Sequence, residues 1–155
     1  MITHDALLGM CLSFPGAFED HPFGADSTVV KVRAAPGRPA KLFALLMPGE
    51  QATRINLKCD PELAEYLRRQ YQWVLPGYHM NKRHWNTVVV PHRAATTPTP
   101  HDAPRGESAE PTSAVAGGVT KSLIRDLIED SYDLVVASMP RRDRVLLDWP
   151  PTKSG

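Results

Sequence analysis

Apolar positions recur along the chain with two spacings, and the switches between them mark the elements. Leu7, Leu8, Cys11 and Leu12 fall on one face at helical spacing, Thr3 is placed to cap the first turn, and Phe14-Pro15-Gly16 ends the helix. Thr28 to Arg33 mixes β-branched residues with alternating charge, Lys41 to Met47 is almost wholly apolar, and Pro36-Gly37 supplies the turn between these two strands. Arg54 to Cys59 alternates cleanly, so Ile55, Leu57 and Cys59 face a core while Arg54, Asn56 and Lys58 share the open face.

Asp60-Pro61-Glu62 is a helix start: the carboxylate accepts from free amides, proline has no amide to leave unpaired, and Glu62 complements the positive end of the helix dipole. Leu63, Ala64, Leu67 and Tyr71 form the stripe of that helix. A short strand at Trp73 to Leu75, a turn at Pro76-Gly77 and a strand from Trp85 to Val90 follow. Thr120 caps a last helix, Val119 and Ile124 staple across the cap, and Leu123, Ile124, Leu127, Ile128, Leu134 and Val135 make its apolar face. The order is helix, three strands, helix, two strands, helix. One helical layer on one face of an antiparallel sheet, an α+β two-layer fold, buries all three stripes.

Composition interrupts this pattern once. Residues 91–118 hold five of the 15 prolines and little that a core can use, which predicts a disordered insertion within a single domain spanning residues 1–140. Residues 141–155, with three arginines and a Pro150-Pro151 pair, are expected to form an irregular tail. The longest apolar run, Leu42 to Met47, has six residues, far below the roughly 20 that span a bilayer, so no membrane partner is expected. Two cysteines, Cys11 and Cys59, make no disulfide framework, which points to a reducing cytoplasm.

The formal net charge of +1 excludes a polycation, yet it is unevenly spread. Arg54 to Trp85 carries 6 Lys/Arg against 3 acids, and residues 119–140 carry 2 against 4. Within the basic stretch, PGYHMNKRHWNT at Pro76 to Thr87 has a density of polar and aromatic groups that folding alone does not demand. Lys58, Lys82 and Arg83 are candidates for phosphate contacts, Asn81 and Asn86 for base edges or sugars, and Tyr78 and Trp85 for stacking on unpaired bases, with His79 and His84 beside them. The structural alternative has Trp85 and Tyr78 packing in the hairpin and Asn81 and Asn86 satisfying turn amides.

These motifs carry a resemblance. With INLKCDPE at Ile55 to Glu62, PGYHMNKRHWNT, SYDLVV at Ser131 to Val136 and FPGAFEDHPFG at Phe14 to Gly24, the chain resembles the MmcQ/YjbR family over about residues 1–90 and 119–140. The resemblance implies a fold like that of type III secretion chaperones and a DNA-binding label, with no catalytic residue and no cofactor. It favours weak, salt-sensitive nucleic-acid binding through the Tyr78 to Asn86 surface. A protein-interaction module on the open sheet face is the first alternative. The second is a phosphodiester-cleaving enzyme using His79 and His84, against which their odd spacing argues, because it puts strand side chains on opposite faces. No metal-ligand spacing occurs, and Cys59 beside Lys58 is expected to be a buried small hydrophobe, since strand neighbours face apart.

Overall fold

The computed structural model describes residues 2–22, 24, 26–77, 80–92 and 119–147. Helix α1 (His4–Leu12) opens under Thr3, whose hydroxyl accepts from the Ala6 amide at 3.0 Å, and buries Leu7 and Cys11. Strands β1 (Ala17–Asp20), β2 (Thr28–Val32), β3 (Lys41–Pro48) and β4 (Ala52–Lys58) follow, then α2 (Pro61–Gln70), β5 (Val74–Pro76), β6 (Trp85–Pro91), α3 (Lys121–Ala137) and α4 (Arg141–Leu147). The caps of α2 and α3 work as their sequences predict: Asp60 accepts from the Glu62 and Leu63 amides, and Thr120 accepts from Leu123.

The strands form one six-stranded antiparallel sheet in the order β1-β2-β3-β4-β6-β5. The register aligns Thr28, Leu46, Ile55, Val88 and Val74 in one cross-strand row, beneath the helical layer. The next row, on the opposite face, is Asp20, Val29, Leu45, Asn56, Thr87 and Leu75. The α+β architecture with helices on one face is therefore present, with two elements beyond those expected.

One of these is β1. Its four residues, Ala-Phe-Glu-Asp, have too little apolar periodicity to announce a strand, and distant groups hold it. Lys31 pairs with Asp20 at 3.1 Å, and the Arg33 guanidinium lies 4.4 Å from the Phe18 ring centre. Gly16, at φ +75°, makes the turn into β1; a β-carbon there would sit 2.4 Å from the Arg33 carbonyl oxygen.

The other corrects the expectation of an irregular tail: residues 141–147 are helical, while 148–155 lie outside the described residues. A seven-residue helix is not stable alone. Here Leu147 enters the core, and the fully buried Asp143 accepts from Arg38 Nε at 2.7 Å and Nη2 at 3.2 Å. That partner lies 105 residues away, so no local pattern announces it.

Residue 43 is an extra residue in β3: Val30 faces Ala44, then Lys31 faces Leu42. Phe43 and Ala44 consequently both reach the core, and the Phe43 carbonyl leaves the ladder. Ser131 occupies the break, donating its hydroxyl to that carbonyl at 2.7 Å and accepting from the Lys58 amide at 2.8 Å. Tyr132, beside it, stacks on Phe14 with centroids 4.9 Å apart, meets Phe43 edge-on at 5.1 Å, and donates to the Pro15 carbonyl. Two residues of SYDLVV thus serve architecture. Cys11 and Cys59 are both buried, and burial pushes their thiols up to about 12 and about 11.

Candidate nucleic-acid interface

The turn joining β5 to β6 is built by its own sequence. Gly77 is required because a β-carbon there would lie 2.7 Å from both the Cβ and the carbonyl oxygen of Trp85, while its amide donates to that oxygen at 2.9 Å. At the other side of the turn, Asn81 Oδ1 accepts from the Arg83 amide at 2.8 Å, and the Asn81 carbonyl accepts from the His84 and Trp85 amides. This places Asn81, Lys82 and Arg83 in solvent. The His84 carbonyl accepts from the Cys59 amide at 2.7 Å, which ties the turn to the end of β4.

Lys58 and Trp85 are register partners, both half-buried, on the face away from the helices. From the helical layer, Arg68 extends its guanidinium over the turn, with Nη2 donating to the Lys82 carbonyl at 3.3 Å and Nε to the Ala64 carbonyl at 3.3 Å. Arg68 was not foreseen as a site residue. From sequence it is one of two basic residues ending α2, where they complement the helix dipole, and its contact with Lys82 spans 14 positions.

Among the described residues, ion pairs join His21 to Glu19, Lys31 to Asp20, Arg38 to Asp143 and Arg69 to Glu65. None involves Lys58, Arg68, Lys82 or Arg83, so four cations gather at one corner of the sheet with no carboxylate of the described residues within 4.0 Å. That corner has a surplus of charge which an anion relieves.

The remaining candidates are placed as follows. Asn86 lies in the interior, 2% exposed, because β6 already starts at Trp85 and alternation turns residue 86 toward α2; its Nδ2 donates to the Ala64 carbonyl at 3.4 Å. This corrects the expectation of an accessible amide at Asn86. Asn56 keeps to the helix-free face as expected, yet it is fully buried there, its Oδ1 accepting from the Thr87 hydroxyl at 2.6 Å. Arg54, on the same face, is exposed. Tyr78 and His79 lie outside the described residues, so the His79 and His84 pair has no geometry to report. Among the described residues, no three His, Cys, Asp or Glu side chains converge as a metal site, and no helix is long and apolar enough to cross a membrane.

Comparison with known proteins accords with this architecture. The YjbR family model matches residues 12–134. The chain is 30% identical to protein YjbR of Escherichia coli K12 over 146 residues, covering 94% of this chain and 98% of that one. It is 30% identical to YbdF of Escherichia coli O157:H7 over 141 residues, covering 91% and 90%. The crystal structure of Deinococcus radiodurans protein DR2400, with a DUF419 domain, superposes with a TM-score of 0.72 at 30% identity, covering 97% of this chain and 91% of that one. A family model spanning the sheet, α2 and most of α3, relatives matched nearly end to end and a shared fold agree: the chain belongs to the YjbR family.

Proposed function

We propose that this protein binds nucleic acid weakly and non-specifically, through Lys58, Lys82, Arg83 and Arg68 around Trp85. The observation that carries the reading is the gathering of four cations around one turn and its half-buried Trp85, none of them paired with a carboxylate among the described residues. Each releases condensed counterions when it meets a phosphate, so affinity falls steeply with salt. Half-exposed Trp85 beside Lys58 offers a stacking plane to an unpaired base. The two buried, unpaired cysteines favour a reducing cytoplasm as the setting.

A fluorescence anisotropy titration of single- and double-stranded DNA at low salt tests the reading. Binding with a Kd of about 100 μM or tighter, lost in Lys82→Ala/Arg83→Ala and weakened by salt, is expected. Absence of binding at that concentration, or binding indifferent to both changes, rejects it. A second reading, protein docking on the helix-free face, is favoured by Leu75, 39% exposed at the end of a row in which Val29, Leu45, Asn56 and Thr87 are buried. A partner captured by pull-down that survives nuclease and is lost in Leu75→Asp supports that reading instead.

A further inference from the structure

The large apolar side chains left in solvent are not scattered. Among the described residues six are exposed: Leu63 and Tyr66 on α2, Leu134 on α3, Val145 and Leu146 on α4, and Leu75 on the sheet. Five of the six fall on two surfaces of opposite charge. The first is α4. Asp143 and Leu147, one turn apart, face inward, one to Arg38 and the other into the core. Helical geometry then turns Val145, midway between them, outward at 64% exposure, with Leu146 beside it at 60%. Arg141, Arg142 and Arg144 surround the pair in solvent. A helix too short to fold alone is thus pinned by a buried ion pair with an apolar apex in water, ringed by cations.

The second surface is formed by the outer edges of α2 and α3. Helix α2 starts just past the end of β4, and α3 runs toward that same end of the sheet: its Ser131 accepts from the Lys58 amide, and Ser138 at its close accepts from Lys41 Nζ at the start of β3. The two helices are therefore antiparallel. Leu67 and Leu127 both line the gap between them. Leu63 lies one turn before Leu67 and Leu134 two turns after Leu127, so these exposed leucines flank the gap at one end, with Tyr66 outside them. The gap itself encloses about 10 Å³, so a partner rests on the outer edges and does not enter it. Around the leucines the charge is negative, with Glu62 on α2 and Asp126, Asp130 and Asp133 on α3 all exposed. Burial and then its neighbours Asp133, Asp126 and Glu129 raise the Asp130 carboxyl above its ordinary value of 3.8, so an incoming cation is favoured there.

We propose that a second copy of this chain covers both surfaces: α4 of one protomer seats Val145 and Leu146 on Leu63, Tyr66 and Leu134 of the other, with its arginines against the acidic edge of α3. The charge match selects this occupant. An anionic membrane or a nucleic acid would satisfy α4 and be repelled by α3, whereas a second copy satisfies both. Each copy carries both surfaces, so a two-fold axis makes the contact twice and closes the assembly. The contact is small and belongs with weak, transient interfaces. Lys58, Arg68, Lys82 and Arg83 take no part, so dimerisation and nucleic-acid binding stand or fall separately.

Sedimentation velocity of the full chain at low salt, without nucleic acid, from about 10 μM to about 1 mM tests this. The parent should shift from monomer to dimer across that range. Two charge reversals on exposed residues, Arg141→Glu/Arg142→Glu and Asp126→Arg/Asp130→Arg, should each weaken the dimer by about tenfold or more, because each sets like charges together at both contacts. An equimolar mixture of the two variants should regain the dimer, since both contacts are then opposite in charge. Melting temperatures within a few degrees of the parent confirm that both variants are folded. Should a variant melt early, Leu134→Asp replaces it, with loss of the parent dimer expected. A parent that stays monomeric or grows past the dimer, a dimer indifferent to these changes, or a mixture that stays monomeric each overturns the proposal.

Discussion

Two motif blocks of similar polarity have opposite fates in this fold. SYDLVV closes two of its three polar side chains inside, with Asp133 exposed: the Ser131 hydroxyl bridges two strands, and the Tyr132 hydroxyl meets a backbone carbonyl at the end of an aromatic cluster. PGYHMNKRHWNT ties its backbone at Gly77 and at the Asn81 turn, and leaves Lys82 and Arg83 in solvent without carboxylate partners among the described residues. A polar motif is therefore not evidence of a binding site until its hydrogen bonds have been followed to their ends. Where they close internally, the motif specifies the fold, and the charges left over are what a ligand can use.

The contrast is broken most severely at Tyr132. Tyr132→Ala removes a fully buried ring that stacks on Phe14 and abuts Phe43, and a loss of about 3–5 kcal/mol in urea unfolding is expected. DNA affinity per folded molecule should be unchanged. Ser131→Ala strands the Phe43 carbonyl and the Lys58 amide together, for an expected loss of about 1–3 kcal/mol. If Ser131→Ala also weakens DNA binding at full folding, Lys58 is being positioned through its own amide and the two regions are coupled.

The same contrast explains what the sequence disclosed. Strands β2 to β4 and helix α2 were legible because their signals are local: alternation at Arg54 to Cys59, and a cap at Asp60-Pro61. Elements β1 and α4 were not, because each is held by a partner distant in sequence, Lys31 for Asp20 and Arg38 for Asp143. At the site, the exposure of Lys82 and Arg83 follows from the turn chemistry, whereas the burial of Asn86 depends on where β6 starts and on Ala64 above it. Arg68 joins the corner through a hydrogen bond that only packing creates.

At the cation corner the effect is on binding and leaves the fold alone. Lys82→Ala/Arg83→Ala removes two exposed side chains that make no ion pair among the described residues, so the melting temperature should stay within a few degrees of the parent. The slope of log affinity on log salt should fall by about 2, one for each phosphate that is no longer neutralised. A melting temperature that drops sharply would move these residues to the architectural side of the comparison. Arg68→Ala should lower the same slope by about 1 and also loosen the turn, since its guanidinium holds the Lys82 carbonyl.

The smallest effect is expected at the C-terminal helix, and it depends on pH. The Arg38 guanidinium holds the Asp143 carboxyl below its ordinary value of 3.8, while burial opposes that shift. A carboxyl lowered in the folded state binds fewer protons than in the unfolded chain, so its contribution is fully present above pH 3.8 and is lost as pH falls through the lower folded value. Melting temperatures from pH 7 down to pH 2 should therefore decline at the acid end in the parent. In Asp143→Asn the decline should be shallower, starting from a lower plateau, because the neutral amide keeps the shape without the charge. The difference is confined to the docking of α4, which nothing but Leu147, Asp143 and the chain itself ties to the sheet among the interactions described. If Asp143→Asn leaves the acid limb unchanged, the pair with Arg38 only orients the helix, and burial of Leu147 holds it in place.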